Sequence, residues 1–240
     1  MDVNSLRAFI IALVLGLGLA FGLAKPLRTH PVPFCLAAFA LVGVYCWAIL
    51  SHANLNNYRM VTFVLQKGYL SSVLLAIVMF TGCLDNTSPL KKRLRPVRGE
   101  LSVLSFIFIL GHLAVFMPSY LERLLGGAVL KPNVETAVIV ALALTALFAV
   151  LGVTSFKSVR RAMSPRAWKN LQRLAYLMVA LYIVHVGFFL GTSVFGGSGK
   201  AHGSLLGYCA VVGAYAVLRV RKALHDHCTS DQAGAAEPTR

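Results

Sequence analysis

Seven apolar stretches constrain this chain more than anything else in its sequence: Leu6–Leu23, Pro33–Leu50, Gly68–Leu84, Gly99–Tyr120, Val134–Phe156, Leu171–Phe195 and Ser204–Val220. A helix needs about 20 mostly apolar residues to cross a hydrocarbon core about 30 Å thick, with a working range of about 17–25. All seven stretches reach that length almost without charge. They are rich in Leu, Ala and Val and show none of the period-two alternation that a barrel strand requires. The short connections make neighbours antiparallel. Composition points the same way. With 58% hydrophobic and 13% charged residues among 240, the chain is too poor in charge to cover a water-soluble fold of this size and too apolar to be disordered. The expected fold class is an all-α membrane protein, a bundle of seven transmembrane helices.

Lys and Arg number 23 against 8 Asp and Glu, a net charge of +15. In a soluble protein such a balance would suggest nucleic acid. Here the cations sit in short loops between apolar runs, and no basic-aromatic platform accompanies them, so no nucleic-acid partner is expected. Their distribution sets an orientation. The loop carrying Lys91, Lys92, Arg93, Arg95 and Arg98 falls on one face with the loop carrying Lys157, Arg160, Arg161, Arg166, Lys169 and Arg173. Lys25, Arg28 and the C-terminal cations lie on that face too, making 17, and the other face holds only Arg7, Arg59, Lys67, Arg123, Lys131 and Lys200. Positive loops stay inside, so the expected topology places the N-terminus outside and the C-terminus in the cytoplasm, in a multi-pass protein of the cytoplasmic membrane. Gly22-Leu23-Ala24 resembles a signal-peptide cleavage site. Cleavage there would leave Lys25 outside against the charge bias, so the first segment is read as a retained helix.

Residues 1–67 are read as two N-terminal helices with their linkers, 68–222 as a core and 223–240 as a disordered cytoplasmic tail. The five cysteines form no C-x-x-C pair. His225-Asp226-His227-Cys228 has metal-ligand residue types but falls on the tail, with no fold to hold it. Gly18-x-x-x-Gly22 has the spacing of a helix-packing motif. His202 and Lys200 fall in a glycine-rich stretch, Gly196–Gly203, read as a solvated outer loop.

Of seven histidines, only His112 and His185 fall deep within apolar stretches. An ionisable side chain inside a membrane marks function more often than not. His112 lies thirteen positions after Gly99 and His185 thirteen after Gln172, where their helices start at the basic face. At about 1.5 Å per residue both sit roughly 20 Å from that face, at one level in the outer half of the bilayer. Two imidazoles at one height on parallel helices suit the two axial positions of a haem iron. The bland reading is that each ring hydrogen-bonds a neighbouring helix. Gly111 and Ala114 beside His112, and Gly187 and Gly191 after His185, leave room for a flat macrocycle.

Thr154-Ser155, then Trp168, Leu171-Gln172-Arg173-Leu174 and Tyr176, then His185 together resemble the ferric reductase-like transmembrane domain family. The likeness is greatest to the haem-binding membrane subunits of the periplasmic methionine sulfoxide reductase system. The basic run ending Arg98-Gly99, ahead of a helix carrying His112, fits the preceding part of that pattern, and the resemblance covers Gly68–Val220. It implies b-type haem held by helix histidines, with His112 and His185 at two of the ligand positions. At a third the family has Leu-His-Arg-Leu where this chain reads Leu171-Gln172-Arg173-Leu174, and the residue thirteen before His112 is Gly99. Gln is a poor substitute for imidazole on haem iron and Gly has no side chain, so the resemblance implies one haem near the outer face and a dismantled inner site.

The expected function is transmembrane electron transfer through a single bis-histidine haem b to an extracytoplasmic acceptor, either a metal chelate or a partner reductase. That makes the chain the membrane component of an oxidoreductase. Electrons would come from a separate flavoprotein or from membrane quinol, since no G-x-G-x-x-G loop exists to bind flavin or NAD(P)H. Arg59, Lys67, Arg123 and Lys200 lie on the side where haem propionates would point. The alternative is a non-redox scaffold or small transporter of the same fold that has lost haem.

Overall fold

A computed structural model describes residues 3–127 and 131–235, with side chains as far as Asp226. Seven of its helices or helix pairs are long and apolar enough to cross a membrane: Val3–Gly22, Pro31–Leu50, Asn56–Thr81, Pro89–Leu125, Pro132–Val153, Pro165–Phe195 and Gly199–Asp226. The chain is a multi-pass membrane protein, as its apolar stretches require. The described residues contain no strand.

Helix α1 (Val3–Leu17) continues through a π-helical turn, Gly18–Gly22, and is followed by the short α2 (Ala24–Thr29) and the spanning α3 (Pro31–Leu50). The third span is built from two pieces, α4 (Arg59–Gln66) and α5 (Tyr69–Thr81). It therefore starts earlier than Gly68, because Arg59 and Lys67 bracket an apolar turn that reads as a loop in the sequence. Next come α6 (Pro89–Leu94) and the 28-residue α7 (Arg98–Leu125). They lead to α8 (Pro132–Val153), α9 (Lys157–Arg161), α10 (Pro165–Gln172), α11 (Leu174–Phe195) and α12 (Gly199–Ala235). Proline opens α3, α6, α8 and α10 at their first turns. Its missing N–H is one that a helix start leaves unpaired in any case. Ser164 caps α10, its Oγ accepting from the Ala167 N–H at 3.2 Å.

Two packing regimes share the bundle. In the first, α1 lies on α4 and α5, and α3 and α5 lie on α7. A continuous core from Ala8 to Phe108 fills the space between them. Close approach is set by Gly16, where an added Cβ would stand 2.6 Å from Val73 Cγ1. Gly18 and Gly22 meet nothing within 4 Å, so their G-x-x-x-G spacing marks the π-turn and not a helix contact. Ser71 and Ser105 cross-link α5 and α7 at full burial, each hydroxyl donating to the other's carbonyl at 2.8 Å. In the second regime, α11 lies on α8 and α12. Here Met178 is the one residue of α11 that is buried. Gly152 lets α8 close on α7, since a Cβ there would fall 2.4 Å from Phe106 Cγ.

The stretch Gly196–Gly203 is helical from Gly199, and His202 belongs to the first turn of α12 with its Nδ1 on the Ser198 carbonyl. At its other end α12 runs past Lys222 to Ala235. Lys222 favours that extension, bonding Asp226 one turn on at 2.6 Å and reaching Asp85 at 3.4 Å. Residues 236–240 of the expected tail, and the side chains of His227 and Cys228, lie outside the described residues.

Candidate functional site

The break between α4 and α5 shapes the first half of the site. Gly68 takes φ +65°, a left-handed conformation that residues with a Cβ rarely adopt. The break leaves the carbonyl of Gln66, at the end of α4, to be satisfied from outside the helix. His112 of α7 satisfies it: its Nδ1 lies 2.6 Å from the Gln66 oxygen. A carbonyl can only accept, so Nδ1 carries the proton, and Nε2 keeps its lone pair. Gly68 packs directly beneath the ring, its Cβ direction 3.7 Å from His112 Cβ and Cγ.

The second half repeats this arrangement on other helices. His185 Nδ1 lies 3.1 Å from the carbonyl of Ala137 in α8. A carbonyl has two lone pairs, so this bond need not displace the helical one. Again the proton is on Nδ1 and Nε2 is left free. Each imidazole packs against the phenyl ring one turn further on, His112 on Phe116 and His185 on Phe189, both with centroids 5.0 Å apart. Both histidines are half-buried, and α7 stops being buried immediately after Gly111. Tyr120 reaches from α7 to Phe189 of α11, with ring centroids 5.9 Å apart. The two ligand candidates thus share a substructure: an N–H anchored on a neighbouring backbone, a free Nε2 and a phenyl at i+4.

Of the small residues expected to make room for a macrocycle, Gly187 meets nothing within 4 Å. Gly111 instead accommodates Tyr45 of α3, at 3.5 Å, and Leu65. Among the four cations expected on the outer side, Lys67 directly follows Gln66, whose carbonyl accepts from the His112 ring. The described residues hold no group of three or more His, Cys, Asp or Glu placed to bind a metal ion. The four described cysteines, Cys35, Cys46, Cys83 and Cys209, are free.

The Thr154–Tyr176 motif converges at the other end of the bundle, in a structural role. The Trp168 indole donates to the Thr154 carbonyl at 3.1 Å, and Gln172 Nε2 donates to Thr154 Oγ1 at 3.3 Å. Ser155 Oγ meets Ser102 Oγ of α7 at 3.2 Å, and Tyr176 accepts from Arg219 Nε at 2.8 Å. Arg160 stacks over Trp168 at 4.4 Å. Glu100, buried, pairs with Lys157 at 2.8 Å. Gln172 is therefore engaged in joining α8 to α10.

Comparison with known proteins agrees with this architecture. Residues 67–183 match the family described as ferric reductase like transmembrane component, a stretch that contains His112 and ends two residues before His185. Over 191 residues the chain is 36% identical to an uncharacterized protein of Treponema pallidum (strain Nichols). That alignment covers 78% of this chain and 52% of the relative, so the chain spans about half the relative's length. No solved structure matches. The match supports the resemblance read from the sequence over that stretch.

Proposed function

We propose that this chain is a ferric reductase-like electron-transfer protein of the cytoplasmic membrane, resembling the haem-binding membrane subunits of methionine sulfoxide reductase systems. In this reading His112 and His185 would hold one b-type haem, each offering an imidazole nitrogen to its iron. The observation that carries the proposal is the paired geometry of these rings. Each donates Nδ1–H to a backbone carbonyl of an adjacent helix, His112 at 2.6 Å and His185 at 3.1 Å, and keeps Nε2 free. A metal-ligating histidine characteristically has its other nitrogen fixed in this way, which sets the tautomer and the ring plane. One histidine so held would be an ordinary satisfied side chain; two at matched depth, each with a phenylalanine at i+4, favour ligation.

When bound, haem supplies a one-electron Fe(III)/Fe(II) couple. The protein's part is positional. Gln66 and Ala137 orient the rings, Phe116 and Phe189 cover them, and the surrounding apolar helices keep water away, which favours the less charged oxidation state. Lys67, next to Gln66 in the chain, would offer a cation to a propionate. With the N-terminus outside and the basic loops inside, electrons enter from membrane quinol or a separate flavoprotein on the cytoplasmic side. They leave to an extracytoplasmic metal chelate or partner reductase.

Substitution tests the assignment directly. His112→Ala and His185→Ala, purified in detergent, should each lose the low-spin haem spectrum, whereas His30→Ala and His52→Ala should keep it. A normal low-spin spectrum in both helix variants would refute the ligand pair. A wild-type protein that stays colourless when haem supply is ample would point to the non-redox scaffold.

A further inference from the structure

A cleft of about 530 Å³ opens at the basic end of the bundle, at the opposite end of α7 and α11 from the histidines. Six cations line it: Lys91, Arg95, Arg98, Lys169, Arg173 and Arg219. They come from different parts of the chain, so one helix face does not explain their convergence. Among the described residues no carboxylate lines the cleft. Among the described residues none of the six forms an ion pair, while Asp85 and Asp226, which neighbour Lys91, are both held by Lys222. Six like charges gathered around one cleft repel one another, and an anion between them would relieve that repulsion.

Below the cations the walls become apolar. Leu75 and Val78 lie on α5, and Phe148 lies on α8. Leu75 stands six positions before Thr81, and Phe148 six before Thr154, so these side chains sit about 9 Å deeper in the bundle. The cleft is thus graded from a cationic mouth to an apolar floor, at a level where lipid headgroups meet acyl chains. Its volume is that of a small-molecule site and not of a protein-docking face.

We propose that this cleft binds a phosphate group, supplied by the headgroup of an anionic phospholipid whose acyl chain lies along Leu75, Val78 and Phe148. Arg98 and Arg95 offer forked donors suited to phosphate oxygens, and Lys91 and Lys169 add point charges. The inference is independent of the haem reading, since it uses none of the residues around His112 and His185.

The test is native mass spectrometry of the full chain released from nanodiscs of equimolar phosphatidylglycerol and phosphatidylcholine. The protein should retain phosphatidylglycerol about tenfold over phosphatidylcholine, and excess inorganic phosphate should strip it off. Arg98→Gln should reduce the preference by about tenfold, the loss of one charge-assisted contact. Lys169→Gln, on the exposed side of α10, should lower it also and provides a second variant should Arg98→Gln fail to fold. Arg161→Gln, exposed on α9 away from the cleft, should leave it unchanged. Equal retention of the two lipids, or a preference that survives both cleft substitutions, would overturn the proposal. Inorganic phosphate binding without any lipid preference would overturn the lipid source and leave a soluble phosphate ester. A haem count of two per chain would place a porphyrin among these cations and overturn the phosphate altogether.

Discussion

Gly68 shows how a single residue sets the geometry of the site. Its positive φ ends one helix and starts another, which exposes the Gln66 carbonyl that His112 uses. Gly68→Ala would impose left-handed strain of about 1–2 kcal/mol and push a methyl against Ile109 at 3.2 Å. The expected outcome is a lower Tm together with reduced haem occupancy, read from the ratio of haem to protein absorbance. Unchanged occupancy would show that the break does not position His112. Tyr45 gives a prediction of opposite sign. Its hydroxyl is the buried polar side-chain atom left without a hydrogen-bond partner among the described residues. Tyr45→Phe should keep the ring packed on Gly111 and leave Tm equal or slightly raised, because an unpaired buried hydroxyl contributes only a desolvation cost. The histidines themselves were legible in the sequence, because an ionisable group deep in an apolar run is conspicuous. Their hydrogen-bond partners were not, since both are backbone carbonyls and any residue can supply one. The one side-chain trace was the shared His-x-x-x-Phe spacing at His112–Phe116 and His185–Phe189.

At the scale of elements, spans were readable from hydropathy but breaks and ends were not. The α4–α5 junction reads as a loop because Arg59 and Lys67 interrupt the apolar run, although the chain there is helical on both sides. The start of α12 was hidden in a similar way by the glycines of Gly196–Gly203, and near its other end Lys222 pairs with Asp85, far away in sequence. Contacts between elements yield two further expectations. Gly152→Val would drive side-chain atoms into the Phe106 ring and should cost about 1–3 kcal/mol in stability, seen as a fall in Tm of the detergent-solubilised protein. A variant as stable as the parent would mean that α8 and α7 do not approach this closely. Gln172→His would introduce the imidazole that the resemblance implies at this position, at the cost of the contact with Thr154. Alone it should leave the haem stoichiometry unchanged, because Gly99 offers no opposing ligand.

Across the whole molecule, the bundle is asymmetric from end to end and from side to side. Cations gather at one end, His112 and His185 lie further along α7 and α11, and the tightly packed half from α1 to α7 supports a second half whose helices are less buried. This arrangement suits a membrane protein that holds a cofactor at one depth and a charged molecule at another. The charge bias predicts an orientation that labelling can check. In a cysteine-free background, Ser51→Cys should react with a membrane-impermeant maleimide in intact cells, and Arg161→Cys only after lysis. The reverse pattern would invert the topology and the direction assigned to electron flow. The central claim is one haem held by two histidines. The most direct test is a dithionite-reduced minus oxidised spectrum of the purified wild-type chain, with a pyridine haemochrome count. One low-spin haem b per chain is the predicted result; no haem, two haems, or a high-spin spectrum would contradict the account.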